Sequence, residues 1–185
     1  MTIRQVIDAD WPRIGELGDL QVRAHYAFDS ARFFSPDELP PDVYTSLVRE
    51  EVAAGRATVL VAEVVVVDDL RPHPRPPSPP GGTEVDERDG GRRRRRIAGY
   101  VFAAIEAESW KELRHEAGLV HDLVVEETHR RRGIGAALLR SAIDWFAARG
   151  VTRVMLGTAP QNVQAQALFR RAGFRPTMIE MTMDR

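Results

Sequence analysis

Apolar and polar positions alternate between short runs and helix-spaced stripes along the chain. Thr2 to Ile7 reads as an opening strand, and Asp8 and Asp10 lead from it into a helix with Pro12 near its first turn, where a missing N–H costs nothing. Ile14, Leu17 and Leu20 give that helix an inward face. Ser35-Pro36-Asp37-Glu38 has capping-box form, but Pro40 and Pro41 follow at once and prevent a long helix there. A second helix is expected from Pro41 to Ala54, stopped by Gly55. Thr58 to Val67 is rich in valine, and Ile97 to Ile105 is apolar with two aromatics, the pattern of two strands of an antiparallel hairpin.

A charged loop then precedes a strand from Leu119 to Val125. The next helix, Gly133 to Arg149, carries Leu138, Leu139, Ala142, Trp145 and Phe146 on its apolar side and ends at Gly150. Arg153 to Thr158 is predicted as a strand, Asn162 to Ala172 as a helix and Met178 to Met183 as a closing strand. The order β-α-α-β-β-β-α-β-α-β makes this an α/β (α+β) chain with helices around one sheet, a single domain over residues 1–185.

Residues 68–96 break the pattern. They hold six of the 12 prolines, two glycine pairs, and eight arginines against six acidic residues, ending in Arg92 to Arg96. Little here can be buried, so the segment is expected to be a solvated, disordered insert in the hairpin turn. The arginine run could attract nucleic acid, but acids precede it and the chain as a whole has a net charge of −1, which argues against a nucleic-acid binder. Lys111 is the only lysine among 26 basic residues, a bias of coding rather than a site. Cysteine is absent, which removes disulfides, thiolate ligands and a cysteine acyl-enzyme. His25, His73 and His115 lack metal-like spacing, so no metal is expected. No signal peptide or bilayer-length apolar run is visible, and a soluble, cytoplasmic protein without membrane contact is expected.

Chemistry concentrates in Val125-Glu126-Glu127-Thr128-His129-Arg130-Arg131-Arg132-Gly133-Ile134-Gly135-Ala136, which leaves a strand and opens a helix. Glycines let backbone approach a ligand closely, and the free N–H groups of a helix start can face an anion such as a pyrophosphate. Arg130, Arg131 and Arg132 add positive charge, although an arginine run also suits a solvated turn. No phosphate-loop lysine motif is present, and Leu138 stands where a dinucleotide fingerprint wants a small residue.

Arg130-Arg131-Arg132-Gly133-Ile134-Gly135 resembles the Arg/Gln-x-x-Gly-x-Gly/Ala signature of the GNAT acetyltransferase superfamily. Asn162-Val163-Gln164-Ala165-Gln166-Ala167-Leu168-Phe169-Arg170-Arg171-Ala172-Gly173-Phe174 is similar to that family's second signature. The resemblance implies a mixed, mostly antiparallel central sheet, acetyl-CoA as donor and direct transfer of its acetyl group to a primary amine. It implies that backbone groups of Leu123, Val124 and Val125 bond the pantetheine arm. Amides from Arg131 to Ala136, Ile134 included, would cradle the pyrophosphate, with Asn162 on the other side of the arm; Asn162 is equally a good N-cap. Phe169 stands where many relatives have a tyrosine that protonates the departing thiolate, which phenylalanine cannot do.

His121 and Asp122 lie on the strand that would border the acetyl group. A histidine suits a general base, with a reference pKa of about 6.5, and equally suits an ordinary sheet position. His129 is expected at the surface and Trp145 in the core, and nothing distinguishes Trp11 or Trp110 from packing residues. Phe33, Phe34 and Tyr44, with Asp29, Asp37 and Asp42, fall where the family shapes its acceptor site. The acceptor expected is a small-molecule amine. A protein N-terminus or lysine is the alternative, ranked second because Leu156-Gly157-Thr158 lacks the Glu-Val-Arg run of one such subgroup. A non-catalytic acetyl-CoA-binding module is the rival from another class, and a homodimer is compatible with all three.

Overall fold

The computed structural model describes residues 1–67 and 93–184; the predicted disorder of 68–92 falls outside them. A five-stranded sheet has the order β1 (Thr2–Gln5), β2 (Ala57–Val67), β3 (Arg93–Glu106), β4 (Ala117–Val125) and β5 (Val154–Leu156). All neighbours are antiparallel except β4 and β5, which run parallel. Helices α1 (Trp11–Phe28) and α2 (Pro41–Ala53) cover one face, while α3 (Ile134–Ala147) and α4 (Val163–Arg171) cover the other.

This two-sided cover explains the continuous valine pattern of β2. Val59 and Val61 pack with Ile14, Leu17 and Phe102 beneath α1, while Leu60 and Ala62 pack with Leu138 and Phe146 beneath α3. A strand buried on both faces has no polar alternation to display. Gly18 lets the two covering helices approach, since a Cβ there would lie 2.6 Å from the Tyr44 ring.

Several expectations are corrected. Leu20 is not on the inward face of α1 but 42% exposed, because the buried stripe runs through Ile14, Leu17, Gly18 and Val22. Arg93 to Arg96 belong to β3 rather than to a solvated insert: their backbones continue the hairpin against Val64 to Val67. Carboxylates on neighbouring elements hold two of these guanidiniums, with Arg95 Nη1 2.7 Å from Glu63 and Arg96 Nη2 2.7 Å from Glu126. Met178 to Met183 form no strand and are exposed, with Glu180 paired to Arg32. Three-residue β5 offers too short an edge to order a partner along its full length. Trp110 is exposed rather than packed, and β1 and β5 are each shorter than the sequence pattern suggests.

Ser35 and Glu38 do form their reciprocal bonds, Ser35 N–H to Glu38 Oε2 at 2.8 Å and Glu38 N–H to Ser35 Oγ at 3.3 Å, around a turn and not a helix. At the start of α1 the buried Asp10 accepts from Arg4 Nη1 at 2.6 Å and from the Ile7 N–H at 2.8 Å. Burial pushes its carboxyl upward, but the Arg4 bond, the Ile7 N–H and the Arg4 charge outweigh that and hold it below its ordinary value.

Asp10→Asn should therefore lower stability at neutral pH by about 1–3 kcal/mol, measured by urea unfolding. A depressed folded pKa gives stability that is complete above the unfolded value near 4 and declines as pH falls through the folded one. The gap between variant and wild type should narrow as the pH is taken below about 4.

Candidate active site

Strand β4 defines the site by losing a neighbour. It pairs with β5 only through Gly118, Leu119 and Val120, and beyond Val120 the two strands part. Pairing with β3 continues to Val125 and on to the Glu126 N–H on Ala98, so by alternation the backbone of Val124 faces β3, while the groups of Leu123 and Val125 face the β5 side and have no strand partner there. One of them is occupied locally, because Arg130 Nε donates to the Val125 carbonyl at 3.1 Å.

The chain then turns through a short 3-10 segment, Glu127–His129, into α3. Arg131 has φ 62° and Gly133 φ 79°, left-handed conformations that fold the turn back on itself. Gly133 stands at the N-cap, and no side chain caps the helix. Its first N–H groups, at Ile134, Gly135 and Ala136, are thus open donors at the positive end of a 14-residue helix. A Cβ on Gly135 would lie 3.4 Å from Leu168 Cδ2 and 3.7 Å from Val125 Cγ2. The helix start therefore faces the gap between the end of β4 and α4.

Asn162 stands at the N-cap of α4. Its Oδ1 accepts the Ala165 N–H at 3.1 Å, so the capping role holds, and its amide group remains as a donor. Phe169 is buried in the core under α4 beside Phe174. Packing accounts for this side chain. His129 is not a free surface residue: it lies 3.1 Å from Glu126, which also binds Arg13 at 2.9 Å and Arg96 at 2.7 Å. Burial raises the Glu126 carboxyl, but the Arg13 bond and the charges of Arg13, Arg96 and His129 hold it below its usual range. This cluster ties the turn to α1 and β3.

At the vertex where β4 and β5 part stands a β-bulge. Phe102 pairs with Asp122 and Ala103 with Val120, which leaves His121 as the extra residue. Regular alternation would put His121 and Asp122 on opposite faces; the bulge turns both toward α1 and α2. His121 stacks on Phe102 with ring centroids 5.1 Å apart, and its Nε2 lies 3.1 Å from Glu106 Oε1.

Asp122 accepts hydrogen bonds from Gln21 of α1 and Tyr44 of α2. With Tyr44's one proton committed, Tyr100 donates to the Tyr44 oxygen at 2.7 Å. Burial raises the Asp122 carboxyl against the opposing Tyr44 bond and the nearby His121 and His25. Tyr44 and Tyr100 are raised too, first by burial and then by the Asp122 charge, so both stay protonated donors. Burial lowers His25, with Asp122 opposing, and its ring stacks on Phe33 at 4.9 Å. Gln21, Tyr100, Glu106, Arg13 and Glu126 escape sequence reasoning. The signal for the first two was Asp122 itself, a carboxylate in an apolar strand that must find donors.

Known proteins share the family and the fold of this chain. Residues 66–174 fit the model of the acetyltransferase (GNAT) family. A mycothiol acetyltransferase of Clavibacter michiganensis subsp. michiganensis is 36% identical over 90 residues, 49% of this chain and 27% of that protein. The chain thus spans about a quarter of that curated relative's length. Among solved structures, a tetramutant protein from Bacillus halodurans has a TM-score of 0.70 at 21% identity, with 100% of each chain covered. An aminoglycoside N-acetyltransferase in complex with CoA has a TM-score of 0.65 at 14% identity, over 100% of this chain and 93% of that one. Both likenesses are of fold. Among the described residues no helix is long and apolar enough to cross a membrane. With the family's model covering residues 66–174 and its fold present from β1 to α4, the chain belongs to the GNAT acetyltransferase family.

Proposed function

We propose that this protein is an acetyl-CoA-dependent N-acetyltransferase whose acceptor is a primary amine on a small molecule. The observation that carries the proposal is the parting of β4 from β5 after Val120, which runs from the bulge at His121 to the uncapped start of α3. Amides from Arg131 to Ala136 and the arginine turn suit a pyrophosphate. Backbone groups of Leu123 and Val125 on the open side of β4 suit the amides of a pantetheine arm, with Val124 between them turned to β3 and the Asn162 amide opposite. A donor laid this way brings its thioester to the vertex, beside His121 and Asp122. The small-molecule acceptor draws support from relatives named for mycothiol and for aminoglycosides.

In this mechanism a neutral amine attacks the thioester carbonyl directly. His121, 36% exposed at its side chain, is the base that receives the amine proton. Asp122 is suited less to proton removal than to holding the acceptor side in place, because Gln21 and Tyr44 already engage its oxygens. A backbone N–H on the unpaired side of β4 is the natural stabiliser of the oxyanion. The leaving thiolate is a fairly stable anion, with a thiol pKa near 8.5 by analogy with cysteine, so transfer does not require a tyrosine at Phe169.

Acetyl-CoA should raise the melting temperature through mass action. Gly135→Val should remove that shift and keep the free fold, since a Cβ there meets only ordinary contacts. Normal binding by this variant would refute the phosphate assignment.

Acetyl transfer should be measured across a panel of small amines and peptides. His121→Ala should lower kcat by about 10²-fold and leave acetyl-CoA affinity near wild type. Phe169→Tyr should leave turnover unchanged or raise it. Binding of acetyl-CoA with no transfer to any acceptor would favour the non-catalytic module instead.

A further inference from the structure

We propose that Glu106 is the positioning residue of this site: it fixes the tautomer of His121 and stabilises its protonated form. The inference rests on the assignment of His121 as base and deepens it. Glu106 is the last residue of β3, paired with Ala117. Phe102, Ala104 and Glu106 project alternately from one face of β3, and the bulge turns His121 onto that same face. The imidazole is consequently held from two sides, by the Phe102 ring at 5.1 Å and an interplanar angle of 27°, and by Glu106 Oε1 at 3.1 Å from Nε2.

A carboxylate only accepts, so the contact requires a proton on Nε2. That leaves Nδ1 as the lone pair available to the substrate. The other titratable groups around it are Asp122 on its own strand and, beyond Asp122, His25 of α1 and Tyr44 of α2. Asp122 is engaged by Gln21 and Tyr44, whereas the bond to the imidazole itself comes from Glu106. As the amine nitrogen bonds to the carbonyl carbon, its proton passes to Nδ1. The C–S bond breaks with its electron pair on sulfur, and the imidazolium then returns that proton to the thiolate, directly or through water. Glu106 opposes the positive charge on the ring throughout this interval and takes up no proton.

Two measurements on the full chain test the proposal. In the free protein, the NMR titration midpoint of His121 should fall by about half a pH unit in Glu106→Gln, as expected for a half-exposed charge pair. The acid limb of the kcat/KM profile should move to lower pH by the same amount. Glu106→Ala should lower kcat about fivefold with acetyl-CoA affinity unchanged, and should have no further effect in a His121→Ala background. Glu106→Gln should recover part of that loss through its retained hydrogen bond. An unmoved midpoint in Glu106→Gln, or an equal loss from Glu106→Ala with and without His121, would overturn the proposal. If His121→Ala kept full kcat while the NMR midpoint still moved in Glu106→Gln, the pair would stand, but the base assignment would fall and the catalytic role of Glu106 with it.

Discussion

A backbone N–H or C=O that leaves a sheet must find another partner, and β4 meets that requirement immediately after Val120. On its β3 side pairing resumes after the bulge and runs on to Val125, so the strand cannot drift to satisfy itself. On the other side the parallel partner ends after three residues, and a wedge opens between β4 and the elements that follow β5. The outward polar groups of Leu123 and Val125 and the first N–H groups of α3 line this one wedge. A ligand with an extended amide arm and an anionic end matches both sets of unmet bonds at once. Each half of the wedge is ordinary in isolation, and their continuity is what distinguishes the site.

The same strand is then held in register by charge. Glu126, directly after β4, gathers Arg13 from α1, Arg96 from β3 and His129 from the following turn. A carboxylate held by two guanidiniums and an imidazole resists displacement, because moving it would strand groups that have lost part of their hydration. At the opposite end of the wedge, Asp122 draws α1 and α2 onto the sheet through Gln21 and Tyr44. Helix α1 is thereby fastened to β4 at both limits of the site and α2 at the Asp122 end, which leaves the wedge itself as the place where a guest can enter.

Local patterning made most of the fold legible. Strand and helix periodicity located every element from β1 to α4, and the glycine-arginine turn located the helix start that matters. What escaped depended on pairing across long distances. Arg93 to Arg96 read as linker because composition says nothing of Glu63 and Glu126, which lie on other elements and hold two of them. Met178 to Met183 have the composition of a strand, but a strand also needs an edge to pair with. His121 and Asp122 were found as a pair, yet only the register of β3 against β4 reveals the bulge that brings them to one face. Glu106 carried no signal in the sequence, since nothing local marks a glutamate at the end of a strand as a partner for a residue 15 positions away.

Val67 and Arg93 are facing partners at the connected end of the β2–β3 hairpin. The chain between them therefore leaves and re-enters the sheet at one point, whatever its length, and the entropy of closing such a loop grows only with the logarithm of its size. Glu106, which holds His121, ends β3 on the far side of the sheet, about 43 Å from Arg93 along the strand. Lengthening, shortening or replacing the intervening sequence is thus a nearly free evolutionary variable for the fold, and one spatially separated from the chemistry. Lineages could diversify at this position, appending recognition or regulatory sequence, without renegotiating the residues that handle the acyl group.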